Sequence, residues 1–175
     1  MTRAEVLARA RSAIGLKTVY KLGAGGFDPK AEHPGLRRGT CTFKSHGKAL
    51  VECDCSGFGA WGLGTSRWLK GTPLGADYVW FECSNVWRDA LSSWGFVNML
   101  MRGNIRPGDI VVEPDRNGKQ GHIAIVSQVP GAAGMDWRII HCSAGNFRKT
   151  GDAIQETGLW KPARELTFAR VRWVE

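Results

Sequence analysis

A chain of 175 residues, 43% hydrophobic and 23% charged, is long enough to bury a core as one domain and too balanced to be disordered or fibrous. No run approaches the roughly 18 apolar residues of a membrane-spanning helix, and the opening MTRAEVLARARSAIG lacks the continuous apolar stretch of a Sec signal, so synthesis in the cytoplasm is expected. The net charge of +8 attracts polyanions. The cations, however, are scattered through GLRRGT, FRKTG and ARVRW, with no basic helix or RNA-binding aromatic motif, which disfavours nucleic acid. An anionic cell envelope satisfies the same charge, as does a solvated basic surface with no dedicated partner.

In chain order, Thr2 opens a capping box with Glu5. The spacing of Val6, Leu7, Ala10 and Ile14 then predicts a helix over 3–14, stopped by Gly15. KLGAGGFDPKAEHPGLRRG reads as a long loop and KALVEC as a short extended lead-in. A second helix is expected to start at the Asp54–Ser56 corner despite its glycines. A third is expected from Ser84 to Trp94, burying Val86, Trp87, Ala90, Leu91 and Trp94 and ended by Gly95. RPGDIVVEP is a turn feeding a strand. GHIAIVSQV and WRIIHCS are strands joined as a hairpin through PGAAGMD. TFARVRWVE closes the chain, with Ala169, Val171 and Trp173 on one face and Arg170 and Arg172 on the other. Helices first and an antiparallel sheet second predict an α+β domain over 1–175, with neither repeat nor linker.

Five cysteines leave one thiol over in any disulfide scheme, so Cys41, Cys53, Cys55, Cys83 and Cys142 read as mostly reduced. The Cys53-Asp54-Cys55 stretch is compatible with a metal clip, a buried core pair or one reactive thiol. A helix N-terminus lowers a thiol pKa through its oriented N–H groups, which singles out Cys55. Such a nucleophile needs a base. Of the four histidines, His33 and His46 lie in the irregular N-terminal half. His122 and His141 fall on one predicted hairpin, where one imidazole can orient the other. The rival is zinc held by Cys53, Cys55, His141 and Cys142. C-x-C is tight for two ligands, and adjacent His141 and Cys142 point to opposite faces of a strand.

DCSGF at 54–58, RPGDIVV at 106–112, GHIAIV at 121–126 and IIHCS at 139–143 together resemble the NlpC/P60 family of papain-like cysteine peptidases. VLARARSAIGLKTVYKLGAGG resembles that family's leading helix and tyrosine-glycine segment, and the tail from Gly151 resembles its closing strands. The resemblance leaves 64–104 as a family-variable insertion, rich in tryptophan (Trp68, Trp80, Trp87, Trp94). It implies a papain-like fold with Cys55 as nucleophile, His122 as general base and His141 as the polar third member. It further implies Tyr20, Asp54, Ser56 and Gly121 in substrate binding and the oxyanion hole, where the Cys55 N–H contributes. Gly59 stands where the family often carries a larger apolar residue, and the Cys55–His122 interval is longer than usual.

The implied activity is hydrolysis of peptidoglycan stem peptides at a γ-D-glutamyl–diamino acid bond, with no cofactor and no metal. The alternatives are an N-acetylmuramoyl-L-alanine amidase or an acyltransferase with the same triad, and a wall- or nucleic-acid-binding module with a Cys/His metal site. The expected context is a monomer acting on the wall or periplasm after non-Sec export or phage-mediated release, with an inhibitor or immunity protein as a candidate partner.

Overall fold

The computed structural model describes residues 1–36, 51–70, 78–92, 95–131 and 136–175. Helix α1, Arg3–Ser12, starts on the expected capping box: the Glu5 amide donates to Thr2 Oγ1 and the Thr2 amide to Glu5 Oε2. Val6 and Ala10 are buried and Leu7 and Ile14 pack beside them, so the expected face is the inner one. The helix stops before Ile14 because its end tightens: the Ala13 amide donates to the Ala10 carbonyl and the Ile14 amide to the Arg11 carbonyl. Gly15, at φ 87°, then turns the chain so that its amide donates to Asp152 Oδ2.

Two two-residue strands, β1 (Val19–Tyr20) and β2 (Glu52–Cys53), pair in parallel. Helix α2, Cys55–Gly62, follows β2 directly and is buried at all eight positions. Its glycines make it a weak autonomous helix, but they allow neighbouring elements to approach. A Cβ on Gly57 would lie 2.4 Å from the Ala24 carbonyl oxygen, and one on Gly62 would lie 2.6 Å from Ile125 Cδ1.

The segment expected as an insertion supplies β3 (Trp68–Lys70), β4 (Tyr78–Trp80), α3 (Cys83–Leu91) and β5 (Val97–Met99), with β3 and β4 antiparallel. Helix α3 differs from expectation. It starts one residue earlier, on a Glu82 cap, and ends at Leu91, which is exposed rather than buried. The cause is Asp89, whose Oδ2 accepts the Val97 amide at 2.7 Å and draws the chain back past Gly95. A side chain at Gly95 would collide with that carboxylate. Trp94 and the last residues of the expected N-terminal loop lie outside the described residues.

The remaining strands are β6 (Ile110–Glu113), β7 (His122–Gln128), β8 (Arg138–Cys142), β9 (Ile154–Thr157) and β10 (Thr167–Val171), with helix α4 (Ala144–Thr150) between β8 and β9. They join β5 in an antiparallel sheet of order β5-β10-β6-β7-β8-β9. The arrangement is α+β, with a short helix interrupting the strand-rich half.

On one face of the sheet, Ile110, Val112, Ile123, Ile125 and Ile140 pack with the buried side chains of α1, α2 and α3. On the other, Val111, Ala124, Val126, Ile139 and Phe168 form a second cluster under Leu159 and Trp160. Strand β10 sends Ala169 and Val171 into the first cluster and Phe168 into the second. Phe168 is therefore buried, and Arg170 is not a free surface cation but bonds Asp109 at 2.7 Å. Among the described residues no helix is long and apolar enough to cross a membrane.

Gly57→Ala is expected to lower the free energy of unfolding by about 1–3 kcal/mol, because backbone rather than a flexible side chain meets the added methyl. Gly103→Ala, whose Cβ would meet nothing within 4 Å, leaves it little changed. Urea denaturation of the two variants measures the difference.

Candidate active site

Asp54 caps α2: its Oδ1 accepts the Gly57 amide at 2.7 Å and the Ser56 hydroxyl at 3.3 Å. Its Oδ2 accepts the Gly23 amide at 2.6 Å and Arg67 Nη2 at 2.7 Å. Both charged side chains are essentially excluded from solvent. Arg67 also donates to Ser56 Oγ at 2.8 Å and to the Ala24 carbonyl at 2.7 Å, and its guanidinium lies over the Trp80 ring. The first turn of α2 is thus fixed by a paired charge with several hydrogen bonds rather than by helix propensity. Arg67 Nε is the one guanidinium nitrogen that has no partner among the described residues. Among the described residues no acceptor is bonded to the Cys55 amide, which leads the helix.

Cys55 is the first residue of α2 and Cys83 the first of α3; their sulfurs are 3.8 Å apart. The Cys55 thiol is held well below the ordinary thiol range. The hydrogen bond from Cys83 contributes most; burial opposes it, and the hydrogen bond and charge of His122 reinforce it. Cys83 is pushed up, first by that same hydrogen bond, then by burial and the nearby charges of Cys55, Glu82 and Asp115. These directions favour Cys83 as the donor and Cys55 as the acceptor: the charge of His122 acts on Cys55 and those of Glu82 and Asp115 on Cys83, while Asp54 opposes the lowering of Cys55.

His122 opens β7, and its Nε2 lies 2.6 Å from Nδ1 of His141 on β8. His141 Nε2 is 2.9 Å from Thr157 Oγ1, and that hydroxyl donates to the Gly158 carbonyl at 2.9 Å. With its proton committed to Gly158, Thr157 accepts from His141, whose Nδ1 then accepts from His122 Nε2–H. His122 Nδ1 is left for Cys55. Burial, and then the charge of His122, lower His141 to about 3, so it stays neutral and keeps this tautomer. Trp160 covers the pair from the second-cluster side, edge-on to His122 with ring centroids 4.7 Å apart. Its Nε1 donates to Glu113 Oε2 at 2.9 Å.

Cys55 faces a cleft of about 560 Å³ lined by Tyr20, Trp80, Cys83 and the 115–121 turn. The sequence-derived candidates Cys55, Tyr20, Asp54, Ser56 and Gly121 all border it. Burial first, then the charges of Cys55 and Asp54, push the Tyr20 hydroxyl up, so it remains a donor. Asp54 and Ser56 are engaged by Arg67, and the Gly121 amide donates to Asp115. His33 is a buried core histidine, bonded to Thr18 and Gly35 away from the cleft; His46 lies outside the described residues. Cys142 turns from His141 into the core and donates to the Cys53 carbonyl. Among the described residues no three His, Cys, Asp or Glu side chains are grouped to hold a metal ion.

Arg67, Cys83, Thr157 and Trp160 are the site residues that sequence reasoning missed. Each arrives by tertiary approach and carries no motif. No family model, curated protein or solved structure matches the chain.

Arg67→Met is expected to destabilise the fold by about 3–5 kcal/mol, since it leaves Asp54 buried without its counter-ion. Asp54→Asn/Arg67→Met should recover much of the loss, as read by urea denaturation.

His141 at about 3 and His33 at about 4, both lowered from 6.5, give a pH test. The unfolded chain binds these protons more readily than the folded one. Stability is therefore full above pH 6.5 and falls as pH drops towards 4 and then 3. The loss is roughly 1 kcal/mol per pH unit for each histidine. Denaturant midpoints between pH 7.5 and 4 measure it, and His33→Gln should flatten the curve.

Proposed function

We propose that this chain is a cysteine peptidase of the NlpC/P60 papain-like kind, hydrolysing amide bonds in peptidoglycan stem peptides. One observation carries the reading: Cys55, at the start of α2 and bordering an open cleft, is hydrogen-bonded by His122, which is aligned through His141. The two histidines stand behind the thiol rather than in the cleft lining. The chain order of thiol, base and orienting histidine supports it, as does a thiol-bearing helix packed on an antiparallel sheet that bears both imidazoles. The net charge of +8 suits an anionic wall.

In this mechanism the Cys55 thiolate attacks the carbonyl carbon. The unbonded Cys55 amide, at the positive end of α2, stabilises the oxyanion. Protonated His122 donates from Nδ1 to the departing amine, then removes a proton from the water that hydrolyses the thioester. His141 keeps Nε2 of His122 occupied throughout, so that Nδ1 is the nitrogen that exchanges protons. The bond cut is taken to be that between the γ-carboxyl of D-glutamate and the following diamino acid. Residues 64–104 reshape the cleft, since Arg67, Trp80 and Cys83 come from that segment.

Purified wall fragments incubated with the reduced protein and resolved by mass spectrometry test the proposal. Stem peptides divided after D-glutamate are expected, with the rate down by about 10³-fold or more in Cys55→Ala and in His122→Ala. Intact peptides freed from the sugar would indicate an amidase instead, and adducts with an added amine an acyltransferase. Unaltered fragments after prolonged incubation would overturn the enzymatic reading.

A further inference from the structure

The described cysteines fall into two settings. Cys53 and Cys142 are wholly buried: the Cys53 thiol donates to the Asp54 carbonyl and the Cys142 thiol to the Cys53 carbonyl. Cys55 and Cys83 instead meet sulfur to sulfur at 3.8 Å, and both border the open cleft. They lie 28 positions apart in sequence and come together because the N-termini of α2 and α3 converge there. We propose that Cys55 and Cys83 form an oxidisable dithiol, in which Cys83 resolves a peroxide-oxidised Cys55 into a reversible disulfide. As a control of hydrolysis this rests on the peptidase reading; as a modification site it does not.

The reaction balances with a small hydroperoxide as oxidant. The Cys55 thiolate attacks one peroxide oxygen; the O–O bond breaks, an S–O bond forms, and hydroxide leaves. The sulfur loses two electrons and becomes a sulfenic acid. Cys83 then attacks that sulfur; the S–O bond breaks, and the Cys83 proton leaves with the hydroxide as water. Two thiols and one hydroperoxide thus yield one disulfide, one water and one water or alcohol. The sulfurs must close from 3.8 Å to about 2.05 Å. The first cause of the raised Cys83 titration is its hydrogen bond to the Cys55 thiolate. That contribution vanishes once Cys55 is a sulfenic acid, so Cys83 becomes the better nucleophile at the step that needs it. The cleft admits a peroxide to Cys55, and the neighbouring thiol intercepts the sulfenic acid before further, irreversible oxidation.

The test uses the full chain, fully reduced, exposed to hydrogen peroxide, then alkylated, digested and analysed by mass spectrometry. A Cys55–Cys83 cross-linked peptide that separates on treatment with dithiothreitol is expected. In Cys83→Ser, Cys55 should instead accumulate as sulfinic and sulfonic acid that dithiothreitol does not reverse. The wild-type mapping stands even if that variant does not fold. Cys55 sulfinic acid beside a free Cys83 thiol in the wild-type protein, or Cys55 bridged to another cysteine, would overturn the proposal.

Wall hydrolysis is followed in parallel. It should fall as far as in Cys55→Ala on oxidation and return on reduction. Undiminished hydrolysis by the verified disulfide form would overturn the control. A disulfide that forms in a protein inactive in both states would overturn only the peptidase reading.

Discussion

The buried ion pair between Arg67 and Asp54 is the interaction on which the site rests. Removing two charges from water is costly, and their attraction offsets that cost only when the remaining donors and acceptors are largely satisfied, as they are here apart from Arg67 Nε. Here Asp54 takes Gly23, Gly57, Ser56 and Arg67, while Arg67 also holds Ser56 and the Ala24 carbonyl. One electrostatic knot therefore joins the 23–25 turn, the start of β3 and the first turn of α2. Cys55 sits inside that turn. Its position is set by backbone and by charge, in a helix whose glycines alone would not hold it.

The same region shows how two similar groups are made different. Cys55 and Cys83 are both buried, and both begin a helix capped by an acidic side chain. Helix dipoles alone would treat them alike. The acidic cap beside Cys55 is paired with Arg67 and opposes the lowering of the thiol least among the causes, while an imidazole stands against the sulfur. The thiol at Cys83 has Glu82 and Asp115 for neighbours. Negative charge therefore settles on Cys55, and the Cys83 proton is directed at it. The hydrogen bond between the two thiols, with the charges around them, sets Cys55 apart from Cys83.

What could be read in the sequence is what local physics controls. The capping box at Thr2, the Asp54 corner and the hairpin bearing His122 and His141 each announce themselves within a few residues. The side-by-side placement of the two imidazoles follows from that hairpin. Thr157 lies across α4 on a four-residue strand with no alternation to mark it, so the third hydrogen bond of the chain could not be anticipated. Arg67 reads as an ordinary surface cation between serine and tryptophan until its carboxylate partner arrives from 13 positions away. Leu91 was misplaced because helical spacing carries no sign that Asp89 will reach forward to Val97. Phe168 shares the polar face of Arg170, yet it is buried there by the second cluster, which alternation within the strand does not reveal.

The position of β10 also bears on how the molecule comes to exist. The last strand of the chain is not an edge but lies between β5 and β6. Until residues 167–171 are available, β5 has no partner in the sheet and Ile110 of β6 lacks its neighbour Ala169. Pairings between distant segments form late, since chain entropy opposes them until both partners are present. The hairpin that carries both histidines pairs without β10, whereas β5 cannot join the sheet until β10 is in place. Completion of the sheet thereby waits on residues 167–171, and loss of β10 would cut β5 and the segment leading to it away from the paired strands β6 to β9.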